Sequence, residues 1–250
     1  MRILVVNPNT SEAMTATIAR SAREAASAGT EILALTAPYG VAGIDCNVES
    51  LISAVAVLDA VTRLRADGVT FDAVVLAGYG EHGREGLQEL LEQPVLDIAE
   101  VSAHAAMMLG RRFSVVTTLE RSVAAIEDRL LLAGLSAHCA SVLGTGLTTS
   151  QLDADPSRAV AAVVEQSRVA VQRDRAEVIC LGCGGLAGAA EAVGAAVGVP
   201  VVDGVSVGVR FAEALVGAGL RTSQVGSYAP PPAQPVKAWP LSSYLQEGVL

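Results

Sequence analysis

The chain has 250 residues, 51% of them hydrophobic and 17% charged, enough to bury one large domain or two smaller ones. Its net charge of −9 offers no basic footprint for nucleic acid, and no apolar run approaches the length of a membrane span. The amino-terminus runs straight into an apolar strand without signal-peptide features, so a soluble cytoplasmic protein is expected.

Strands and helices alternate, which predicts an α/β fold with parallel sheets and crossover helices. Ile3 to Val6 reads as the first strand, and Thr10 or Ser11 caps a helix that runs to about Ala26, with Glu12 well placed against its dipole. Glu31 to Thr36 is a second strand, Val48 to Ala66 a long apolar helix, and Ala73 to Ala77 a third strand ending in Gly78-Tyr-Gly-Glu-His-Gly83. A helix over Glu85 to Glu92, a short strand over Val95 to Ile98 and a helix over Glu100 to Leu109 follow.

The second half repeats this plan. Arg112 to Thr118 is a strand, Arg121 to Ala133 a helix, and Asp155 caps a helix that runs to about Arg173 with Pro156 at its first position. The strand Val178-Ile-Cys-Leu-Gly-Cys-Gly-Gly185 comes next, and a last helix covers Val207 to Val216. Gly78 precedes Cys183 by 105 positions, Pro94 precedes Pro200 by 106, and Val5 precedes Val115 by 110. Offsets this close predict two similar lobes related by a pseudo-two-fold axis, with a cleft between them. The expected boundaries are residues 1–100 plus 206–228 for the first lobe and 101–205 for the second. A Pro-rich arm or tail covers 229–250.

Ligand sites in open α/β sheets lie at the carboxyl ends of the strands. Cys183 falls at such an end, beside the unobstructed backbone N–H groups of Gly184 and Gly185. This places either a reactive thiol next to an anion cradle or a small buried hydrophobe there. The four cysteines are spaced neither as a disulfide framework nor as metal knuckles, and no metal site is expected.

Asn7-Pro-Asn-Thr-Ser11, Phe113-Ser-Val-Val-Thr-Thr-Leu119, Leu181-Gly-Cys-Gly-Gly185, Pro200-Val-Val-Asp-Gly204 and Gly219-Leu-Arg-Thr-Ser223 resemble motifs of the hydantoin and allantoin racemases, within the aspartate/glutamate racemase superfamily. The resemblance spans residues 1 to 228. It implies cofactor-independent racemisation by two cysteines, one from each lobe, acting on opposite faces of a carbon next to a carbonyl. The substrate would be a small carboxylate or cyclic amide, and the assembly a homo-oligomer. Members of the group usually carry Ala-Cys-Phe-Gly-Asp-Pro-Gly where this chain has Ala77-Gly-Tyr-Gly-Glu-His-Gly83, so Gly78 stands in the place of one thiol. Three outcomes follow: Glu81 or His82 serves as the second acid/base, Cys183 acts alone as in the related arylmalonate decarboxylase, or the chain binds a ligand without catalysis.

Cys183 is the leading acid/base candidate. Glu81 and His82 are proton carriers or else a solvated loop capping the next helix. Asn9 is expected to bind a carbonyl or carboxylate, or to close its own loop through an Asx-turn. Thr117 and Thr118 would meet the same group from the other lobe, and the amides of Gly78, Tyr79, Gly80, Gly184 and Gly185 would complete the cradle.

Overall fold

A computed structural model describes residues 1–233 of the chain. In β1 (Arg2–Asn7), Ile3 and Val5 enter one hydrophobic cluster while Leu4 and Val6 enter another, on the opposite face of the sheet. A strand that is apolar on both faces needs cover on both, and the crossover helices supply it. The chain continues through α1 (Glu12–Ala25), β2 (Glu31–Thr36), α2 (Asn47–Ala66), β3 (Ala73–Leu76), α3 (Arg84–Leu90) and β4 (Val95–Asp97). These strands form a parallel sheet in the order β2-β1-β3-β4.

The plan then recurs: α4 (Ile98–Leu109), β5 (Phe113–Thr117), α5 (Val123–Leu132), β6 (Cys139–Gly144), α6 (Thr149–Ala154), α7 (Pro156–Gln172), β7 (Val178–Leu181), α8 (Ala190–Val197), β8 (Val201–Asp203) and α9 (Gly204–Gly217). The second sheet is also parallel, in the equivalent order β6-β5-β7-β8. Two similar α/β lobes, as the repeat offsets predict, are what the chain forms.

The helix after each fourth strand leaves its own sheet. α4 sets Ala103 and Ala106 against Phe113, Val115 and Cys180 of the second sheet, while α9 sets Val205, Val209 and Ala212 against Ile3, Val5 and Val75 of the first. The lobes therefore exchange a helix each, and α4 and α9 pack on one another between them. Both helices start earlier than the sequence suggests because an aspartate ends the strand and caps them. Asp97 accepts from the Glu100 amide at 2.7 Å, and Asp203 from the Val205 amide at 2.9 Å.

Two elements lie outside the sequence expectations. β6 is an edge strand with only Val142 and Gly144 buried, so its Cys139-Ala-Ser start shows no apolar run. α6 is a short helix held by a capping box between Thr148 and Gln151. The helix expected from Arg121 instead opens with a 3-10 turn over Glu120–Ser122. After α9, Thr222 ties the chain back to the first lobe, its amide donating to the Glu92 carbonyl and its hydroxyl to the Gln93 carbonyl. Of the expected Pro-rich arm, residues 234–250 lie outside the described residues. Among the described residues no helix is long and apolar enough to cross a membrane.

Ile18, 1% exposed on α1, fills the core between the first sheet and α9 and reaches the loop bearing Gly184. Ile18→Ala is expected to cost about 2–5 kcal/mol, read as a fall in the urea midpoint at unchanged slope.

Candidate active site

The carboxyl ends of β1 and β3 in one lobe face those of β5 and β7 in the other. Their loops meet so closely that a β-carbon on Gly184 would stand 2.2 Å from the Ala77 carbonyl oxygen, so this contact requires glycine. Gly78 and Cys183 are the chain neighbours of that contact, one from each lobe. A cavity of about 280 Å³ opens beside them, and Asn9, Gly78, Tyr79, Gly80, Glu81, His82, Thr117, Thr118, Cys183 and Gly184 all line it. Ten of the eleven candidate residues thus converge on one site.

Gly185 is the exception, since it does not line the cavity. Its amide donates to Cys183 Sγ at 3.4 Å. The Gly185 amide is thus turned onto the Cys183 sulfur and not into the cavity. Thr117 also looks inward: its hydroxyl donates to the Gly182 carbonyl at 2.9 Å and fixes the turn that presents Cys183. Cys180, three residues earlier, is fully buried against Ser102, and burial pushes its thiol up to about 12. It is a core residue and not a redox partner for Cys183.

On the other wall, Gly78 is occupied territory. A β-carbon there would lie 2.2 Å from Cδ2 of His82 and 2.7 Å from Cγ of Pro8. The His82 ring folds back across the loop into the volume that a side chain at position 78 would take. Gly83, with φ of 96°, supplies the left-handed turn that returns the chain to α3 after this excursion.

The hydrogen bonds fix the tautomer. The Ser50 hydroxyl donates to the Glu81 carbonyl at 2.8 Å, so its remaining contact, 3.1 Å to His82 Nδ1, has the ring nitrogen donating. Nε2 then carries the lone pair, beside Gly78 and Gly80. His82 is 6% exposed. Burial, reinforced by the positive charge of Arg129, lowers its pKa to about 4, so the ring is neutral at pH 7.

Glu81 is engaged elsewhere. Its Oε1 accepts from the Gly83 amide at 2.9 Å, and its Oε2 stands 3.3 Å from Nη1 of Arg129 on α5. The Tyr79 hydroxyl reaches Ser102 Oγ at 3.0 Å, and because Ser102 itself donates to the Ala99 carbonyl, the phenol is the donor. Tyr79 thus shapes the cavity with its ring while its hydroxyl is committed to α4. Among the described residues the amides of Gly78, Tyr79 and Gly80 donate no hydrogen bond, which leaves them available to an anionic oxygen.

Asn9 closes its own loop and also lines the cavity. Its Oδ1 accepts from the Ser11 amide at 2.9 Å, an Asx-turn, and from Asn7 Nδ2 at 2.8 Å. Its Nδ2 contacts the Met14 sulfur at 3.2 Å at the cavity wall. Sequence reasoning missed Asn7, whose side chain ties together Asn9, Ser11 and Thr15, and Ser50 and Arg129, which acquire a role only through long-range contacts. At the rim, Asp45 accepts from the Thr149 hydroxyl at 3.0 Å, linking a first-lobe loop to α6. His104 lies outside the cavity, bonded to the Glu100 carbonyl on an exposed helix face.

A family profile described as Asp/Glu/Hydantoin racemase matches residues 3–212. The chain belongs to the Asp/Glu/hydantoin racemase family. A solved allantoin racemase from Pseudomonas fluorescens is 54% identical, covers 94% of this chain and 99% of its own, and superposes with a TM-score of 0.91. A hydantoin racemase from Rhizobium meliloti is 37% identical over 231 residues, 92% of this chain and 95% of the relative. Unliganded arylmalonate decarboxylase, 22% identical with a TM-score of 0.57 over 87% of this chain and 93% of its own, shares the fold alone. For this member of the racemase family, the side-chain volume beside Gly78 is filled by a neutral imidazole.

That burial has a cost in acid. An unfolded histidine takes a proton near pH 6.5, whereas folded His82 does so only near pH 4, so protons favour the unfolded chain between those values and stability falls as pH falls through them. His82→Gln removes this contribution. Between pH 7 and pH 4.5 the variant is expected to lose about 2 kcal/mol less than the wild type by urea unfolding.

Proposed function

We propose that the protein is a cofactor-independent racemase of a small cyclic ureide of the hydantoin or allantoin kind, with Cys183 and His82 as its two proton carriers. The observation that carries this reading is the pair itself: a thiol supported by an amide and a neutral imidazole with its Nε2 lone pair unbonded to Ser50 line one cavity from opposite lobes. The high identity with the allantoin racemase of Pseudomonas fluorescens supports the substrate class. A cavity of about 280 Å³ suits a ring of a few atoms with a short polar substituent.

In the resting pair the thiol holds a proton and Nε2 does not. Nε2 removes the hydrogen from the carbon next to the carbonyl, the electron pair passes into the ring as an enolate, and the Cys183 thiol delivers its proton to the opposite face. Cys183 is left as the thiolate and His82 as the imidazolium, and this pair carries the opposite enantiomer back. The enolate oxygen is expected to lie against the free amides of Gly78, Tyr79 and Gly80.

A decarboxylase acting through one thiol needs no proton carrier on the second face. The imidazole that fills this face argues for racemisation, and the arylmalonate decarboxylase likeness extends only to the fold.

Single enantiomers of allantoin and of 5-substituted hydantoins, incubated with the protein in deuterated water, test the reading by polarimetry and mass spectrometry. Optical rotation is expected to decay well above the buffer rate, with deuterium entering the stereocentre. Cys183→Ser and His82→Gln should each slow the loss of optical rotation by about 10²-fold or more. Gly78→Cys should also lower activity, because its β-carbon displaces the imidazole. A His82→Gln protein with the wild-type rate would refute the assignment.

A further inference from the structure

Arg129 is a long side chain that reaches from the second lobe to the loop around His82. It stands on α5, 12% exposed, with Nη1 at 3.3 Å from Glu81 Oε2 and 3.1 Å from Glu85 Oε1, and Nη2 at 3.6 Å from Asp97 Oδ2. All three carboxylates belong to the first lobe: the loop after β3, the first turn of α3 and the end of β4. Asp97 and Glu85 are also paired with Arg84, so the guanidinium is docked on a framework that is itself fixed. Glu81, the residue next to His82, is held at one end by Arg129 and at the other by the Gly83 amide. A planar fork with several donors can hold such a loop in one register, which a single point charge on a flexible stem cannot.

We propose that Arg129 is a positioning residue for His82: from the opposite lobe it pins the Glu81 loop so that the imidazole stays seated against Gly78 with Nε2 towards the cavity. The proposal rests on the reading of His82 as a proton carrier. A second effect follows from the same contact. A fixed positive charge near the ring opposes its protonation, and so keeps Nε2 available as a base between turnovers. The other charged or titratable groups on the same cavity are Asp45, Cys46, Tyr79, Glu81, Arg121, Asp128 and Cys183. Of these charges, that of Arg129 opposes protonation of the ring, after burial. Because α5 belongs to the second lobe, a contact between the lobes adds to burial in lowering the proton affinity of a first-lobe base.

The test is an NMR titration of the His82 ring, assigned by its loss in His82→Gln, in the wild type, Arg129→Lys and Arg129→Gln, with pH profiles of racemisation alongside. In Arg129→Gln the His82 titration should move up from about 4 towards 6.5, the acid limb of the kcat profile should move the same way, and kcat at neutral pH should fall at least tenfold with KM little changed. Arg129→Lys keeps the charge without the fork, so His82 should titrate close to the wild-type value while kcat still falls. Should Arg129→Gln not fold, Arg129→Lys decides the positioning claim by itself. His82 titrating as in the wild type in Arg129→Gln, or undiminished kcat in Arg129→Lys, would overturn the proposal. If His82 titration shifts as expected but His82→Gln racemises normally, the coupling to Arg129 stands and the catalytic role of His82 fails.

Discussion

The imidazole of His82 and a side chain at position 78 cannot occupy the same space. A β-carbon 2.2 Å from Cδ2 lies far inside van der Waals contact, so the glycine and the folded-back histidine are two parts of one feature. The rest of the site depends on this seat. Ser50 can orient the ring only because its own proton is taken by the Glu81 carbonyl, and the Nε2 lone pair is presented to the cavity only because Nδ1 is so engaged. The family resemblance implies two matched thiols, whereas the two faces here carry different chemistry: a thiol with an amide at its sulfur, and a desolvated imidazole whose charged form is penalised.

The two-lobed architecture turns that asymmetry into geometry. Racemisation needs proton carriers on opposite faces of a planar intermediate, and two parallel sheets facing each other at their carboxyl ends provide opposite faces without any long loop. Exchange of α4 and α9 locks the lobes through apolar packing. Backbone contact between Ala77 and Gly184 then sets the separation of the two walls beside Gly78 and Cys183. The charged framework of Arg84, Arg129, Asp97 and Glu81 adds direction to this packing, because an ion pair between largely buried groups tolerates few alternative arrangements.

Much of this was legible in the sequence, for reasons that also explain what was not. Parallel strands buried on both faces read as apolar runs, so β1, β3, β5 and β7 stand out, and the common offset of their termini reveals the second lobe. β6 lies at a sheet edge and opens with the small, partly exposed residues Cys139, Ala140 and Ser141, so it carries a weaker signal. Cys183 stood out as a thiol followed by two glycines at a strand end, and the motif resemblance, added to that local physics, made it the leading candidate. His82 could be nominated as a candidate, but its fold-back over Gly78 depends on a left-handed turn at Gly83 and on Ser50, thirty-two residues away. Arg129 is hidden for the same reason: on α5 it looks like one more helix-surface charge, and its contacts reach back 44 residues to Glu85. Gly185 lies in the right motif, yet its amide turns onto the sulfur and away from the cavity, a detail of local geometry that residue types do not encode.

The central claim is that the two faces of the substrate carbon are served by different residues, Cys183 on one and His82 on the other. Measuring α-hydrogen exchange with deuterated solvent for each separate enantiomer, in Cys183→Ser and in His82→Gln, tests it most directly. The account predicts that each variant stops racemising but still exchanges one enantiomer with retained configuration, and that the two variants retain opposite enantiomers. Both variants exchanging the same enantiomer, or His82→Gln exchanging and racemising both, would contradict it.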